Sequence, residues 1–521
     1  MYIFNLPQII DRAARLKPKA IAFKFLEETI TFSELKTKAE QLAVYLGNKG
    51  VAKGDRIGIY MPRCLETTIA VYGILKAGAV YVPLDPFSPS TRTDFVIKDC
   101  GIKHIISTPQ QTKKLKKLSK TETALSIVGV ENELPNGNAV SWGAIFEISP
   151  KTYVPTNVLE DDLAYILYTS GSTGTPKGIM HTHSSAIAFV KLVANLYQME
   201  EAVYGMHSPL HFDPSVQGYF AAPYAFAKTI IVSDAHTKMP VSLAKLIEKE
   251  KITIWYSVPL ALIQMLVQGA LDTCNVSSLK WVLFSGEVFP TKHLRNLMKL
   301  WPFAKFSNIY GPTETNQCTY YHLDTPPEGD QSIPIGYVWD NTAYKILNAE
   351  DKEVRFGEQG ELVVRTATMM KGYWNNPVLT NKSLYLETPL AGVSFPYYRT
   401  GDQVRLDENG RLLFLGRNDN QVKIRGYRIE LGEIENALNT HPKVQESNSL
   451  LTINLETNEL ELLAVVLSPN AKDLLPNELK EFCQSKLPPY AVPDRILVLK
   501  KFPRTASGKI NRKQIEHIVA P

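Results

Sequence analysis

The sequence contains few cysteines and no closely spaced pair of them. Its 521 residues include five scattered cysteines without a Cys-x-x-Cys pair: Cys64, Cys100, Cys274, Cys318 and Cys483. This odd number and wide spacing argue against a disulfide framework and against a cysteine-ligated zinc site. We therefore expect the protein to work in a reducing compartment and predict a cytoplasmic location.

Long apolar runs and a targeting segment are also absent from the sequence. No stretch is apolar for long enough to span a membrane, and residues 1–20 carry acidic and basic side chains within their apolar part. We expect neither a signal peptide nor a membrane partner.

A strong charge of one sign is missing as well. The 57 Lys and Arg residues exceed the 52 Asp and Glu residues only slightly, which gives a formal net charge of +5. The densest basic run, residues 113–120, is interpreted as the solvated face of a short helix. We expect no nucleic-acid partner.

The chain is nevertheless long enough for two or more domains. Up to about residue 340, short apolar runs alternate with longer amphipathic stretches, a pattern typical of βαβ units and of parallel sheets covered by helices. From there to about residue 415, shorter strands joined by Gly and Asn turns indicate an antiparallel, barrel-like portion. A polar and basic segment then begins, and we place a domain boundary between Gly416 and Asp419.

One short segment, Tyr168-Thr-Ser-Gly-Ser-Thr-Gly-Thr-Pro-Lys-Gly178, is rich in glycine and in hydroxyl side chains and carries one lysine. Glycine exposes backbone N–H groups, so the segment predicts a loop that binds anionic oxygens such as those of phosphate. A strand over 163–168 and a helix over 184–197 are predicted on its two sides. Its spacing differs from that of a Walker A loop, and a flexible linker is the alternative interpretation.

Three further segments carry groups that suit a nucleotide. Asn308-Ile-Tyr-Gly-Pro-Thr-Glu314 offers an amide and an aromatic ring to a purine, and oxygen ligands to Mg²⁺, although a plain Gly-Pro turn is the alternative. Tyr398-Arg-Thr-Gly-Asp402 places a carboxylate where it can accept from ribose hydroxyls. Ser507-Gly-Lys-Ile-Asn-Arg512 sets Lys509 on a glycine turn, where a surface lysine is the alternative.

In this order, the segments resemble the adenylate-forming superfamily, which includes the adenylation domains of nonribosomal peptide synthetases. The resemblance covers nearly the whole chain. It rests in addition on Ile30-Thr-Phe-Ser-Glu-Leu35, Leu75-Lys-Ala-Gly-Ala-Val-Tyr-Val-Pro-Leu-Asp-Pro86, Phe212-Asp-Pro-Ser215, Gly360-Glu-Leu362, Gly372-Tyr373, the run from Gly416 to Glu435, and Leu487-Pro-Pro-Tyr490.

The resemblance implies an α/β fold with two domains. A large N-terminal domain, residues 1–416, would consist of two doubly wound αβα subdomains and a small β-barrel. A small α+β domain, residues 417–521, would carry Lys509 and reorient between two half-reactions. Asp419, in the Gly-Arg-x-Asp segment, matches the hinge of the family, with an ordinary turn aspartate as the alternative.

Members of the family use ATP and Mg²⁺ to convert a carboxylate into an acyl-adenylate and pyrophosphate, and then pass the acyl group to a thiol. By resemblance, Lys509 bridges the carboxylate and the α-phosphate. Its removal would lower the rate by about a hundredfold to a thousandfold, by analogy with the loss of one oxyanion donor. The other catalytic residues implied are Thr169, Lys177 and Glu314.

The resemblance also implies which residues bind the nucleotide and the metal. Residues of the glycine-rich loop would hold the β- and γ-phosphates: Thr169, Ser170, Gly171, Ser172, Thr173, Gly174 and Lys177. Other segments would hold adenine, ribose and the α-phosphate: Gly286, Glu287, Asn308, Ile309, Tyr310, Gly311, Thr313, Asp402, Arg417 and Lys509. The metal ligands implied are Thr313 and Glu314.

The substrate implied is an amino acid, because Asp213 matches the aspartate that pairs with an α-ammonium group. Carrying the selectivity positions across gives Asp213, Pro214, Gln217, Tyr256, Leu283, Ser285, Ile309, Gln317, Cys318 and Lys509. Apart from the charges of Asp213 and Lys509, this lining is neutral and mostly apolar. A charged substrate side chain would therefore be left unpaired and rejected. A small or medium apolar amino acid is expected.

The segments around residues 284–290 and 310–321 are most similar to free-standing prolyl-adenylating enzymes, so we favour L-proline. D-alanine or another small apolar amino acid, and an acyl-CoA or aryl-acid synthetase, are the alternatives. No condensation or carrier domain is expected within the chain, and the thiol would come from a separate acyl carrier protein bearing phosphopantetheine, or from coenzyme A. His183, His207 and His211 lie near these segments and are interpreted as core or capping residues.

Overall fold

The computed structural model describes residues 2–118, 125–131, 137–171, 174–390, 392–417, 419–454, 459–468, 474–504 and 512–519. The chain divides into two compact units. The large unit comprises Met1–Pro86, Ile97–Leu167 and Gly178–Asn418. The small unit comprises Phe87–Val96, Tyr168–Lys177 and Asp419–Pro521.

An eight-stranded sheet forms one layer of the fold. From edge to edge its strands are Gly372–Tyr373, Lys177–Thr182, Leu163–Thr169, Val80–Pro83, Arg56–Tyr60, His104–Ser107, Leu125–Val128 and Gly137–Val140. The pairings from Leu163–Thr169 outward to Gly137–Val140 are parallel, and their buried apolar side chains suit a sheet covered on both faces.

A nine-stranded sheet lies in the large unit. Its strand order is Tyr337–Val338, Thr319–Leu323, Lys305–Tyr310, Trp281–Phe284, Ile254–Ser257, Val203–Met206, Lys228–Ile231, Ile21–Phe25 and Glu28–Thr31. The inner pairings, from Lys305–Tyr310 to Ile21–Phe25, are parallel, and the outer ones are antiparallel.

Helices alternate with the strands along this part of the chain. They are Pro7–Leu16, Phe32–Asn48, Leu65–Lys76, Ser90–Cys100, Thr112–Leu118, Trp142–Phe146, His183–Leu196, Ala222–Tyr224, Pro240–Glu250, Pro259–Gln268, Thr291–Leu300 and Pro377–Lys382. Two of them begin at a capping box, in which Thr31 pairs with Glu34 and Thr182 with Ser185, so their first N–H groups are satisfied by side chains. Among the described residues, no helix is both long and apolar enough to cross a membrane.

The predicted barrel-like portion is a five-stranded antiparallel sheet. The path runs through Thr342–Leu347, Gly360–Thr366, Val393–Leu406 and Leu384–Leu390, and Leu412–Arg417 pairs with Val393–Leu406. Its buried residues Leu362, Val364 and Tyr398 pack in one hydrophobic cluster with Ile179 of the eight-stranded sheet and Tyr310 of the nine-stranded sheet.

The small unit has a two-stranded and a three-stranded sheet with helices around them. The strands are Gln421–Ile424 with Tyr427–Glu430, and Glu446–Ile453 with Leu460–Leu467 and Arg495–Leu499. The helices are Leu431–Asn439, Pro476–Lys486 and Arg512–Val519. The mixed α/β fold class, with a large part of several sheets and a small carboxy-terminal part, is therefore confirmed.

The local predictions around the glycine-rich loop need one correction. The strand before the loop and the helix after it lie within about one residue of their predicted bounds, at Leu163–Thr169 and His183–Leu196. The predicted order of strand, loop and helix was wrong, because a second strand, Lys177–Thr182, intervenes. The short apolar run of this strand directly precedes the helix in the sequence, so no separate strand was predicted there.

Candidate functional site

The candidate site in the large unit lies where neighbouring parallel strands end. Ile254–Ser257, Trp281–Phe284 and Lys305–Tyr310 are adjacent in the nine-stranded sheet, and Tyr256 lies opposite Leu283 in the register. The carboxyl ends of these strands therefore share one edge of the sheet. In parallel α/β sheets this edge is where ligands bind.

Four of the predicted substrate residues form a chain of hydrogen bonds, which we call the amide–phenol chain. Gln217 Nε2 donates to Gln317 Oε1 at 3.2 Å, and Gln317 Nε2 donates to the Tyr256 hydroxyl at 2.7 Å. The Tyr256 hydroxyl lies 2.5 Å from Ser285 Oγ. Gln217, Gln317 and Tyr256 are buried, whereas Ser285 is partly exposed. Their polar atoms thus satisfy one another, as buried polar groups must.

The other predicted substrate residues of the large unit differ in exposure. Leu283, Ile309 and Cys318 are buried in the core, and Pro214 is partly exposed. Asp213 is partly exposed as well, and its Oδ1 accepts a hydrogen bond from Thr313 Oγ1 at 3.3 Å. The structure therefore joins the predicted ammonium partner to one of the predicted metal ligands.

Glu314, the other predicted metal ligand, is fully buried. The Tyr373 hydroxyl donates to its Oε1 at 2.8 Å, and the backbone N–H of Met370 donates to its carbonyl oxygen at 2.7 Å. The Tyr373 hydroxyl thus provides a hydrogen-bond partner for this buried carboxyl group. Tyr373 was noticed in the sequence as part of a motif, but its contact with Glu314 was not predicted.

The donor set suits a hard cation. Thr313 and Glu314 offer hydroxyl and carboxylate oxygens, the ligands that Mg²⁺ prefers, and Mg²⁺ usually takes its remaining ligands from phosphate and water. The described part of the chain contains no cluster of three or more His, Cys, Asp or Glu side chains that could hold a metal alone.

His181 is a residue of the site that the sequence analysis missed. Its Nε2 donates to the carbonyl oxygen of Thr313 at 2.9 Å, and its ring stacks on Tyr165 with centroids 5.0 Å apart. Burial lowers the pKa of His181 to about 4, although the Thr313 carbonyl opposes this shift. The ring is therefore neutral near pH 7. Recognising the strand Lys177–Thr182 would have revealed that His181 points into the core.

Asp402 lies at the centre of a second group of predicted residues. Its carboxylate is almost fully buried and accepts hydrogen bonds from the Tyr310 hydroxyl and from Arg417. Arg417 also donates to the carbonyl oxygen of Thr400 at 3.1 Å. Burial, and then the charge of Asp402, raise the pKa of Tyr310 well above its usual value, so the phenol stays a donor.

The remaining predicted nucleotide residues of the large unit make backbone contacts. Asn308 Nδ2 donates to the carbonyl oxygen of Pro334 at 2.8 Å, and Glu287 Oε1 accepts from the N–H of Leu260 at 3.0 Å. A Cβ at Gly311 would lie 2.5 Å from the Cα of Gln317, so any residue other than glycine would clash with the backbone there. Gly286 has a positive φ of 97°.

The glycine-rich loop belongs to the small unit. Ser170 Oγ donates to the carbonyl oxygen of Arg428 at 2.9 Å, and the N–H of Gly174 donates to the carbonyl oxygen of Gly171 at 2.9 Å. Within the described residues, the buried Thr169 Oγ1 has no hydrogen-bond partner. The loop ends at Lys177, the first residue of a strand.

Three predicted site residues, Ser172, Thr173 and Lys509, lie outside the described residues. Asp419, the predicted hinge, is exposed, and its Oδ1 accepts from the N–H of Gln421 at 3.2 Å. The roles of these residues, and of the other predicted site residues, stay predictions.

The histidines near the motifs have structural partners. His183 is buried, and its Nδ1 accepts a hydrogen bond from the N–H of Leu6 at 3.1 Å. The ring of His207 lies 5.8 Å from that of Trp255, and the ring of His211 lies 4.7 Å from that of Phe212. His183 is therefore a core residue, whereas His207 and His211 are partly exposed and their interpretation stays a prediction.

Comparison with known protein families gives two matches. The AMP-binding enzyme family matches residues 10–374, and the AMP-binding enzyme C-terminal domain matches residues 433–509.

Relatives in sequence extend over the same length. A protein named "L-proline--[L-prolyl-carrier protein] ligase" from Pseudomonas fluorescens is 34% identical over 498 residues, which cover 95% of this chain and 95% of that protein. A protein of the same name from Streptomyces coelicolor is 33% identical over 98% of this chain and 96% of its own length. Bacitracin synthase 1 from Bacillus licheniformis is 32% identical over 98% of this chain, which spans only 9% of that synthase.

Solved structures agree in fold. The adenylation domain AlmE of Vibrio cholerae, solved with glycyl-adenosine-5'-phosphate, superposes with a TM-score of 0.84 at 24% identity, covering 99% of this chain and 98% of that one. Holo-PA1221, a nonribosomal peptide synthetase protein with adenylation and carrier domains, superposes with a TM-score of 0.81 at 25% identity, covering 99% of this chain and 84% of that one.

The order of motifs, the strand-end site and the two family matches agree over most of the chain. The resemblance drawn from the motifs is thereby confirmed. The chain belongs to the AMP-binding enzyme family and is an adenylating ligase, an enzyme that uses ATP.

Proposed function

We propose that the protein activates an amino acid, with L-proline the favoured substrate, as an aminoacyl-adenylate and transfers it to the phosphopantetheine thiol of a separate acyl carrier protein. The observation that carries this proposal is the contact between Asp213 and Thr313, next to Glu314 in the chain. It puts a carboxylate suited to an ammonium group beside oxygen ligands suited to a metal.

Asp213 is the proposed partner of the α-ammonium group. A carboxylate and an ammonium form a charge-assisted hydrogen bond that is about twice as strong as a neutral one. A fatty acid or an aryl acid has no group that could use this carboxylate, and burying it against an apolar ligand would cost free energy. The aspartate therefore favours an amino acid over the substrates of acyl-CoA and aryl-acid synthetases.

The neutral amide–phenol chain supports an uncharged substrate side chain. Gln217, Gln317 and Tyr256 carry no charge and form hydrogen bonds with one another. An ionised substrate side chain would therefore lack a counter-charge there. Buried apolar side chains, those of Leu283 and Ile309, suit a small hydrocarbon ring. The names of the two full-length relatives point to L-proline in particular.

ATP is proposed to bind at the segments that carry the Tyr310–Asp402–Arg417 group. Asp402 would accept from the ribose hydroxyls, with Tyr310 beneath the adenine ring and Asn308 at its edge. Thr313 and Glu314 would hold Mg²⁺, which neutralises charge on the phosphate oxygens when bound. The glycine-rich loop, Lys177 included, would bind the β- and γ-phosphates.

The reaction follows from these assignments. One carboxylate oxygen of the amino acid attacks the α-phosphorus, a P–O bond forms, and the bond to the β-phosphate oxygen breaks to release pyrophosphate. Negative charge builds on the α-phosphate oxygens during attack, and a fixed cation there lowers the barrier. We assign that cation to Lys509 and propose that residues 417–521 move about Asp419 before the thiolate attacks the acyl carbon and AMP leaves.

The test is amino-acid-dependent exchange of pyrophosphate into ATP, measured with each of the twenty L-amino acids and with D-alanine. Asp213→Ala should lower the exchange rate by about thirtyfold or more, because truncating one partner of a desolvated charge pair costs about 2–5 kcal/mol. Asp330→Ala is the matched control, since the Asp330 side chain is 81% exposed and pairs only with Arg295 among the described residues.

Each outcome decides a different point. Full activity of Asp213→Ala, or exchange with organic acids that lack an amino group, would contradict the amino-acid assignment. Exchange with D-alanine and not with L-proline would correct the substrate alone. Transfer of the labelled amino acid to a phosphopantetheinylated carrier protein and not to coenzyme A would support the proposed partner.

A further inference from the structure

Tyr204 contacts the amide–phenol chain at Gln217 and belongs to none of the sequence motifs. It belongs to the strand Val203–Met206, which pairs with Ile254–Ser257, the strand of Tyr256. Its side chain is 1% exposed, and its hydroxyl donates to Gln217 Oε1 at 3.3 Å. Because burial keeps the pKa of Tyr204 well above its usual value, the phenol holds its proton at any working pH.

Tyr204 gives the amide–phenol chain a direction. The Gln217 carbonyl oxygen accepts from Tyr204, so the Gln217 amide nitrogen is the end that faces Gln317. The Gln317 amide is then oriented in the same sense, and its nitrogen donates to Tyr256. Since Tyr256 accepts this bond, its own proton is available to Ser285, which lies 2.5 Å away.

We propose that Tyr204 is a positioning residue for amino-acid selectivity, because it occupies the Gln217 carbonyl oxygen and so holds the whole chain in one orientation. This inference rests on the proposed function of the chain as the lining of the amino-acid pocket. Tyr204 acts through Gln217 and needs no contact with the substrate.

The consequence is discrimination against side chains that carry a hydroxyl. With Tyr204 in place, the carbonyl oxygens of Gln217 and Gln317 both already accept a hydrogen bond from the protein. The proton of a substrate hydroxyl would meet only the second lone pair of an oxygen that is held in place, and no amide could rotate toward it, so the hydroxylated side chain would bind less well than its apolar counterpart. Without the Tyr204 proton, the Gln217 amide can rotate and offer its oxygen to that hydroxyl.

The experiment compares wild type with Tyr204→Phe in pyrophosphate exchange. The substrates are the amino acid that the wild type uses best and its hydroxylated analogue, which for L-proline is trans-4-hydroxy-L-proline. We expect the ratio of kcat/KM for the analogue to kcat/KM for the preferred amino acid to rise about tenfold, with the KM for ATP unchanged. A purely structural defect would lower both values of kcat/KM together.

Tyr197→Phe is the matched control. Tyr197 is also 1% exposed and also has a side-chain partner, Ser307 Oγ at 3.1 Å, but it lies outside the amide–phenol chain. In a Gln217→Leu background, Tyr204→Phe should leave the ratio unchanged, because its partner is gone.

The inference is overturned if Tyr204→Phe changes the selectivity ratio no more than Tyr197→Phe does, or if its effect persists in the Gln217→Leu background. If no amino acid supports exchange by the wild type, the proposed function itself is wrong and the inference falls with it. Wild-type exchange with an unchanged ratio in Tyr204→Phe would sink the inference alone.

Discussion

Asp402 shows how single residues in this protein meet the cost of burial. Its carboxylate is 1% exposed, yet one oxygen accepts from the Tyr310 phenol and the other from the Arg417 guanidinium. Removing either donor leaves one carboxylate oxygen of Asp402 without that partner. A hydrogen bond to a charged group contributes about 1.5–3 kcal/mol to stability. The pair of donors therefore sets where the carboxylate points before any ligand arrives.

Tyr310→Phe tests this arrangement. Without the phenol, the Asp402 carboxylate can rotate about its bond to Arg417, and its oxygens no longer meet the ribose in a fixed position. We expect the KM for ATP to rise about tenfold or more while the KM for the amino acid stays within about twofold. Steady-state pyrophosphate exchange at varied ATP measures this.

A suitable control is Tyr72→Phe, which removes a buried phenol that donates to the carbonyl oxygen of Tyr219 at 2.7 Å. If both variants change the KM for ATP equally, the effect is general loss of packing and the role assigned to Tyr310 is incorrect.

At the scale of elements, the glycine-rich loop depends on how tightly its backbone folds on itself. A Cβ placed on Gly171 would lie 2.0 Å from the carbonyl oxygen of Thr175, which is a severe steric clash. The Gly174 N–H donates to the Gly171 carbonyl oxygen. Only glycine at position 171 is compatible with this turn. The amides that would contact phosphate depend on this turn.

Gly171→Ala should therefore open the loop. We expect pyrophosphate exchange to fall by about a hundredfold, the order of loss that follows when a positioning element is displaced by about 1 Å. Rates of the variant and of wild type at saturating amino acid provide the measurement.

Gly47→Ala serves as the reference, because an added Cβ there meets no atom within 4 Å and Gly47 lies within the helix Phe32–Asn48. Alanine is the better helix former, so this variant should be as active as wild type and as stable or more so. Wild-type activity in Gly171→Ala would show that the loop does not position phosphate.

At the scale of the whole molecule, two buried histidines tie distant parts of the large unit together. His183 accepts from Leu6, 177 positions away in the chain, and His181 donates to Thr313, 132 positions away. Burial lowers the pKa of each to about 4, while an exposed histidine in the unfolded chain titrates near 6.5. Both rings are therefore neutral in the folded protein near pH 7, and protonating either one lowers the free energy of unfolding.

The sign of the resulting pH dependence follows from proton counting. Between pH 4 and 6.5 the unfolded chain binds more protons at these two sites than the folded one, so stability rises with pH in that window. The contribution is complete above about pH 6.5 and is lost as the pH falls, with a slope of at most about 1.4 kcal/mol per pH unit for each histidine.

We expect the melting temperature to drop as the pH is lowered from 7.5 to 5.0, and the drop to be smaller in His183→Asn, whose side-chain oxygen can still accept from Leu6. His293→Asn, at a partly exposed position, is the comparison variant and should keep the wild-type drop. An identical pH dependence in His183→Asn and wild type would refute the assignment.

The amount that could be predicted from the sequence differs between elements and contacts. The strand Leu163–Thr169 and the helix His183–Leu196 were predicted within about one residue of their observed bounds, because a short apolar run and apolar residues on one helix face are local signals. The strand Lys177–Thr182 was missed, since it lies between a loop and a helix with no turn residue to separate it.

Within the site, the predicted substrate residues Gln217, Tyr256, Ser285 and Gln317 were named by resemblance, but nothing in the sequence indicated that they bond to one another. Their spacing in the chain has no period that would connect them. Only the strand order of the nine-stranded sheet brings them within reach.

By itself, the sequence determined the class of fold, the family and the chemistry offered by each loop, because these depend on residue type and on patterns a few residues long. The tertiary structure alone decided which buried polar groups are partners: Tyr373 with Glu314, His181 with Thr313, and Tyr204 with Gln217. The physical reason is that each such contact depends on strand order, register and side-chain direction together. A buried donor or acceptor forms its hydrogen bond with whichever group the packing brings near, and no local sequence pattern predicts which group that is.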